Sequence, residues 1–266
     1  MTILPAATLT RRELVRFIRE KSRMIGVIAS PIVFWGVIGS GLNRSFQHAG
    51  LSTDMTYLEY FFPGSVILIV LFAAIFSSIS VIEDRKEGFL QSVLVAPVSR
   101  WSIVLGKVAG ITLLSLAQGI VFLIFAPWVI PGTTAGSFFL SALVLTCISF
   151  GLSSLGFFMA WSMDSTQGFH AIMNLLLVPL WMLSGALFPA SGASTWVSTI
   201  MDWNPLSYGL AAFRMSLYGL NPQYTAGLPS FWTSMIVMIS FAVVAAGLAV
   251  WRVTVRERGS VFEEGA

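Results

Sequence analysis

Six apolar stretches, each near the length of a membrane crossing and separated by polar or turn-rich segments, set the rhythm of this sequence. A hydrocarbon core of about 30 Å needs roughly 20 apolar residues per helical span. The stretches are therefore read as crossings at 24–42, 60–82, 108–130, 138–163, 169–188 and 231–251. The charge-free run from Val108 to Met163 is long enough for two of them, and 131–137 (PGTTAGS) supplies the turn between. Lipid offers no partner for a free backbone polar group, so spanning segments hydrogen-bond their own backbone. The expected fold class is an all-α membrane protein: six transmembrane helices in one domain over 1–266.

Polar segments between the crossings carry their own periodicities. Ahead of the first, Leu9 to Arg23 sets Leu14, Phe17 and Ile18 against a crowd of Arg and Glu, which predicts an amphipathic helix over 1–23 lying in the headgroup plane. A basic flank that only fixes topology is the plainer reading. The cytosolic segment 83–107 opens with five charged side chains, Glu83 to Glu87, then Gly88 breaks away. Phe89, Leu90, Val93 and Leu94 recur at helical spacing until Pro97 stops the helix. An isolated apolar stripe defaults to a second interfacial helix, but the mixed signs of the charged knot suit a protein surface better than an anionic leaflet. The segment 189–230 is too long for a connector and too apolar for a solvated loop. With Trp196, Trp203, Tyr208, Phe213, Tyr218 and Tyr224 it predicts short outer re-entrant or interfacial helices that cover the mouth of the bundle. An aromatic belt with no gating role is the alternative.

Composition agrees: 56% of the 266 residues are hydrophobic and 10% charged, against about a quarter charged in soluble domains, and the mean hydropathy is +0.84. Basic residues set the orientation, because cytosolic flanks are enriched in Lys and Arg. Arg11, Arg12, Arg16, Arg19, Lys21 and Arg23 precede the first crossing; Arg85, Lys86, Arg100 and Lys107 lie between the second and third; Arg252, Arg256 and Arg258 follow the sixth. Only Arg44 and Arg214 fall on the other side. Both termini, including the tail 252–266, are thus expected in the cytosol of a multi-pass protein of the cytoplasmic (inner) membrane. The same asymmetry accounts for the pI of about 9.3, and no nucleic-acid partner is expected, since no basic patch with interleaved aromatics occurs. The first apolar run is too long for a signal peptide and has no small-x-small cleavage site, so it is expected to be retained.

Several chemistries are missing. Ionisable groups at a helix centre cost on the order of 2.5 to 3.5 kcal/mol and mark ion paths where they persist. The central parts of the six crossings have none, and Lys107 and His170, at crossing ends, are expected to reach the interface. Coupling to an ion gradient is disfavoured on that ground. No phosphate-cradling glycine loop with Lys-Ser/Thr occurs, since Gly106-Lys107 is followed by Val108. Ser153 has no His and Asp placed to activate it, and His48, His170 and the lone Cys147 form no metal set. The chain is expected to be no enzyme and to hold no metal or cofactor. Asn174 and Gln118, the amides deep in the crossings, are read as interhelical hydrogen-bonders, and Pro179 as a kink. Gly106 and Gly110 are at a spacing that permits close helix crossing.

The run Glu83-Asp84-Arg85-Lys86-Glu87-Gly88-Phe89-Leu90, with Val93-Leu94, Pro97-Val98-Ser99-Arg100 and Gly106-Lys107, resembles the signature of type-2 ATP-binding-cassette exporter permeases. Asn204-Pro205-Leu206-Ser207-Tyr208, followed by Arg214, is similar to that family's segment before the last crossing. The resemblance covers nearly the whole chain and departs from it at Gln91, where many members carry an acidic residue. It implies a subunit paired with a second copy of itself or a paralogous permease, each docked on a separate ABC ATPase chain that binds the ATP and Mg. It further implies a cytosolic coupling helix with Glu83, Gly88, Phe89, Leu90, Leu94, Pro97 and Arg100 as coupling residues. By the same resemblance an outer gate is expected at Asn204, Pro205 and Tyr208, and the second and fifth crossings should line the path. The function expected is ATP-driven export of a hydrophobic or amphipathic drug or natural product. Export of a lipid-linked polysaccharide, a gradient-driven carrier and a membrane scaffold are the alternatives.

Overall fold

The computed structural model describes residues 3–19, 33, 35–41, 56–219, 225 and 227–263, the side chains of 256–263 excepted. Most of the expected first crossing, together with Lys21, Arg23, Arg44, His48, Tyr224 and the last residues of the tail, lies outside them. Among the described residues there is no strand. Nine helices are named here: α1 (Ile3–Arg19), α2 (Tyr57–Lys86), α3 (Phe89–Val95), α4 (Arg100–Leu123), α5 (Ala135–Ser162), α6 (Thr166–Trp181), α7 (Thr195–Trp203), α8 (Pro205–Tyr218) and α9 (Phe231–Glu263). Five segments among the described residues are long and apolar enough to cross a bilayer: α2, α4 with the turn that follows it, α5, α6 with its continuation to Ala186, and α9.

Local chemistry sets their ends. Thr56 begins α2 with a capping box: its hydroxyl accepts from the Glu59 amide at 3.3 Å, and the Glu59 carboxylate accepts from the Thr56 amide at 2.9 Å. Ser99, Thr134 and Ser165 accept from the third residue onward at the starts of α4, α5 and α6. Helix α2 continues four residues beyond the expected crossing, so that Glu83 to Lys86 are helical rather than part of a loop. Gly88 then turns the chain at φ +75°, a conformation open to glycine at no steric cost, and α3 begins at once.

α2 is the axis of the bundle. In its most apolar stretch 89% of residues are buried, against 39% for α6 and 33% for α9. Phe72 and Phe76, stacked at 5.7 Å, are half-buried exceptions midway along it. The second crossing therefore reaches the subunit surface only narrowly, while α6 presents Leu175 and Leu176 outward. Asn174 stands exposed beside them and makes no interhelical bond among the described residues, unlike its expected role. Gln118 is buried and donates to the Leu114 carbonyl of its own helix at 3.1 Å. Serines supply the cross-helix bonds instead: Ser149 of α5 donates to the Thr112 carbonyl of α4 at 3.0 Å, and Ser141 meets Ser216 of α8 at 2.8 Å.

α1 is laid along α4. Ala6 and Leu9 lie against Gly106, and Thr10 and Glu13 against Gly110; a Cβ at Gly106 would fall 2.8 Å from the Ala6 carbonyl oxygen. The glycine pair thus admits a neighbouring backbone, and Thr10 donates to the Gly106 carbonyl at 2.9 Å. The buried stripe is Leu9, Glu13 and Phe17. Ile18, expected on the apolar face, is exposed, as are Ile3 and Leu4. α1 accordingly has two faces in use, one on α4 and one apolar and outward.

Candidate functional site

Charge gathers at both ends of α2, from α2 itself and α1 and α4 at one and from α8 at the other. At its C-terminal end Asp84 is fully buried. Arg12 grips it in a fork, Nη1 to Oδ2 and Nη2 to Oδ1, both at 2.7 Å, and Arg16 Nη1 donates to Oδ1 at 2.9 Å. Lys107 Nζ, itself buried, completes the set by donating to Asp84 Oδ2 and to Glu13 Oε1, the latter at 2.6 Å. Ser80 donates to Glu13 Oε2 at 2.8 Å, and Arg16 Nη2 reaches Glu83 at 2.8 Å. Among the described residues, Arg12, Arg16 and Lys107 balance Glu13, Glu83 and Asp84. The hydrogen bonds it donates to the Asp84 carboxylate raise the Arg12 guanidinium above its ordinary value.

This overturns the expectation that Lys107 reaches the interface. It points inward because a carboxylate from α1 and another from α2 meet it at the Gly106–Gly110 crossing, which places the three helices within one side chain's reach. Arg85 ties α2 to the end of α5, with Nη2 to the Trp161 carbonyl at 2.7 Å and Nη1 to Asp164 at 2.9 Å. Arg252 of α9 donates to Ser162 at 3.0 Å, which brings α9 to the same end. Four of the five charges in the 83–87 knot are thus engaged within the chain, the exposed Glu87 by an ion pair with Arg16 at 3.7 Å, and Lys86 is exposed.

The seven residues expected to couple fall on one α2–α3–α4 turn. Glu83 holds Arg16, and Gly88 makes the turn into α3. Arg12 stacks 3.7 Å over the Phe89 ring. Leu90 is buried and Leu94 half-buried against the core. Arg100 donates to the Leu94 carbonyl at 3.2 Å, and Pro97 is exposed. Six of these hold α3 in place, and its outward face consists of Gln91, Ser92 and Val95, the last 86% exposed. Sequence reasoning missed Glu13, Arg12, Arg16, Asp84 and Lys107 as a cluster. The one signal was Glu13 itself, a carboxylate four residues from both Leu9 and Phe17 on the apolar stripe of an amphipathic helix.

At the other end of α2 the chain breaks. α6 gives way to a wide turn over Met182–Ala186, with Gly185 at φ +87°. The break lies past Pro179, which the helix accommodates. Freed carbonyls are met by side chains from three elements. Asn204 Nδ2 donates to the carbonyls of Leu180 at 2.6 Å and Leu183 at 3.0 Å, while its Oδ1 caps α8 by accepting from the Leu206 amide at 2.9 Å. Tyr60 OH donates to the Gly185 carbonyl at 2.7 Å and Tyr57 OH to Leu187 at 3.1 Å. Arg214 Nη2 donates to Gly185 at 2.9 Å and Tyr60 at 3.3 Å.

Of the three expected gate residues, Asn204 is the staple between α6 and α8, Pro205 sits in the first turn of α8, and Tyr208 donates to the Asp202 carbonyl at 2.9 Å. Of the aromatics in this segment, Trp196 and Trp203 are exposed, whereas Phe213 is buried and Tyr218 donates inward to the Glu59 carbonyl at 2.6 Å. Arg214, read from sequence as a flanking charge, is 5% exposed. It lines a cavity of about 200 Å³ between the break, α7 and α8.

Comparison with known proteins places the chain. A family model described as ABC-2 type transporter matches residues 6–218. The chain is 26% identical to a putative transport permease, ycf38, of Cyanophora paradoxa, over 77% of this chain and 71% of that protein. It is 23% identical to the daunorubicin resistance ABC transporter permease protein DrrB1 of Streptomyces coeruleorubidus, over 90% and 82% of the two chains. It is 27% identical to the probable multidrug ABC transporter permease YbhR of Escherichia coli K12, over 58% and 42%.

Proposed function

This chain belongs to the ABC-2 type transporter family, as a transmembrane subunit of an ATP-binding-cassette transporter, and we propose that it is an export permease driven by a separate ATPase chain. The ATPase binds ATP and Mg, docks on the outward face of α3 and moves the bundle through it. The charged end, with α1 and α3, faces the cytosol, and the break at 182–186 with α7 and α8 faces outward as a re-entrant gate. The protein resides in the cytoplasmic membrane.

The observation that carries this reading is the mounting of α3. A seven-residue helix is marginal alone, yet Leu90 is buried, Arg12 covers Phe89, and the flanking helix ends are locked by the Glu13–Lys107–Asp84 cluster. A force on Gln91, Ser92 or Val95 would therefore reach α1, α2 and α4 together. Rigid mounting with an open face is what a transmitted push requires.

A pair of subunits fits the exposure of α6. Asn174 stands bare on the otherwise apolar stretch 171–181 of α6, where lipid leaves an amide unsatisfied and an opposing helix would not. The cargo is a hydrophobic or amphipathic compound, in keeping with the half-buried Phe72 and Phe76 beside α6 and with the drug-related names of two relatives.

Val95→Asp tests the docking face without touching the core. The variant should insert and melt as the parent does, while copurification of the ATPase and hydrolysis stimulated by lipophilic compounds fall at least ~tenfold. Undiminished stimulation in Val95→Asp, or cargo movement in vesicles holding this chain alone without ATP, contradicts the reading.

A further inference from the structure

The cavity at the break holds a cation that meets no anion among the described residues. Arg214 is 5% exposed, its Nε donor has no partner, and among the described residues no carboxylate lies within ion-pair distance. Two carbonyl oxygens accept from Nη2, and the Tyr60 ring lies 4.1 Å from the guanidinium carbon. Carbonyl dipoles at a helix end offset part of a positive charge. They do not neutralise it, and the buried Nε donor stays unmet. A buried charge left in that state is costly. Asp202 also lines the cavity, but its side chain is exposed to the outside and makes no salt bridge with Arg214.

We infer that this cavity is a binding site for the acidic group, carboxylate or phosphate, of an amphipathic molecule, with Arg214 as its counter-ion. The opposite end of α2 shows what the chain does with a buried cation that is for structure alone: it meets Lys107 with two carboxylates of its own, Glu13 and Asp84. The cavity wall joins apolar Met201, Leu210 and Leu228 to the hydroxyls of Ser184, Ser207 and Tyr208, so an acid with an apolar body fits it at both ends. About 200 Å³ is the room of roughly six to seven waters. That admits the head group and a few carbons, and leaves the remainder of a chain at the mouth. Fork geometry on planar acids is what Arg supplies and Lys does not. The site lies about 36 Å from the Asp84 cluster, by the rise of a helix over the residues between Tyr60 and Asp84. It stands apart from ATPase docking, and a failure here leaves that reading intact.

Octyl phosphate is the probe, added to the purified chain in phosphatidylcholine nanodiscs with no ATPase present. It should bind saturably above empty discs, while octanol and octyltrimethylammonium do not. Arg214→Gln should weaken binding at least ~tenfold and Arg214→Lys by less. Because Arg214→Gln also removes donors from two carbonyls, Ser191→Trp serves as a second variant: it plugs the exposed rim of the cavity, leaves Arg214 in place, and should block binding equally. Competition by inorganic phosphate at similar concentrations assigns the site to free anions. Competition by phosphatidylglycerol in the disc assigns it to a lipid headgroup. Equal binding of octanol, or unchanged octyl phosphate affinity in both Arg214→Gln and Ser191→Trp, overturns the inference.

Discussion

At one end of α2 the chain buries Asp84 against Lys107, Arg12 and Arg16; at the other it buries Arg214 against carbonyl oxygens and an aromatic ring. Both placements remove charge from solvent, and they differ in what completes them. The first is closed, with side chains of α1, α2 and α4 as mutual counter-ions. The second is open, with a formal charge facing a cavity. A closed cluster resists change because removing one member strands another in a low dielectric. An open one is poised to gain from whatever anion arrives. The mechanical role and the binding role therefore belong at opposite ends of one helix.

Lys107→Met should have the largest effect of any single change, about 3–5 kcal/mol of destabilisation, because two buried carboxylates lose it and Glu13 keeps only Ser80 at 2.8 Å and Arg12 at 3.6 Å among the described residues. Adding Glu13→Gln should recover much of the loss, since both charges are then gone; thermal unfolding in detergent reads both variants. If Lys107→Met melts with the parent, the cluster holds nothing and the contrast fails. Next comes Gly106→Leu, whose Cβ would meet the Ala6 carbonyl and Leu9. About 1–3 kcal/mol is expected, with faster amide exchange confined to α1, and protection of α1 at the parent's level would count against the crossing as its anchor.

Arg214→Met belongs lower. The Gly185 carbonyl keeps the Tyr60 hydroxyl, so about 1 kcal/mol is expected, with faster exchange at 182–186 and none at the Asp84 end. A loss equal to that of Lys107→Met would make the two ends alike. Smallest is Val95→Asp, within ~0.5 kcal/mol of the parent because an exposed side chain gives up no packing. Its effect is to appear in partner binding instead.

Legibility in the sequence was uneven, for physical reasons. Five of the six expected crossings correspond to helices, since span length and apolarity are local properties. The helix 89–95 and its glycine start were equally visible, because Gly88 and Pro97 punctuate it. Which of its residues point outward was not: the apolar stripe, which alone reads as the face of an interfacial helix, is the side turned to the core. Mixed signs at 83–87 suggested a surface for a partner, and most of that charge is matched by α1, some 70 residues earlier in the chain.

By itself the sequence determined that this is a multi-pass helical membrane protein with a short helix after the second crossing, because lipid leaves a backbone few options and hydrophobic length is read residue by residue. Only the tertiary structure decided that Lys107 turns inward, that α1 lies along α4 at Gly106 and Gly110, and that Arg214 stands in a cavity without a counter-ion among the described residues. Charge identity is written in the chain, but whether a charge is solvated, paired or waiting depends on which distant helix reaches it, and Coulomb energy is a property of distance and surroundings rather than of sequence order.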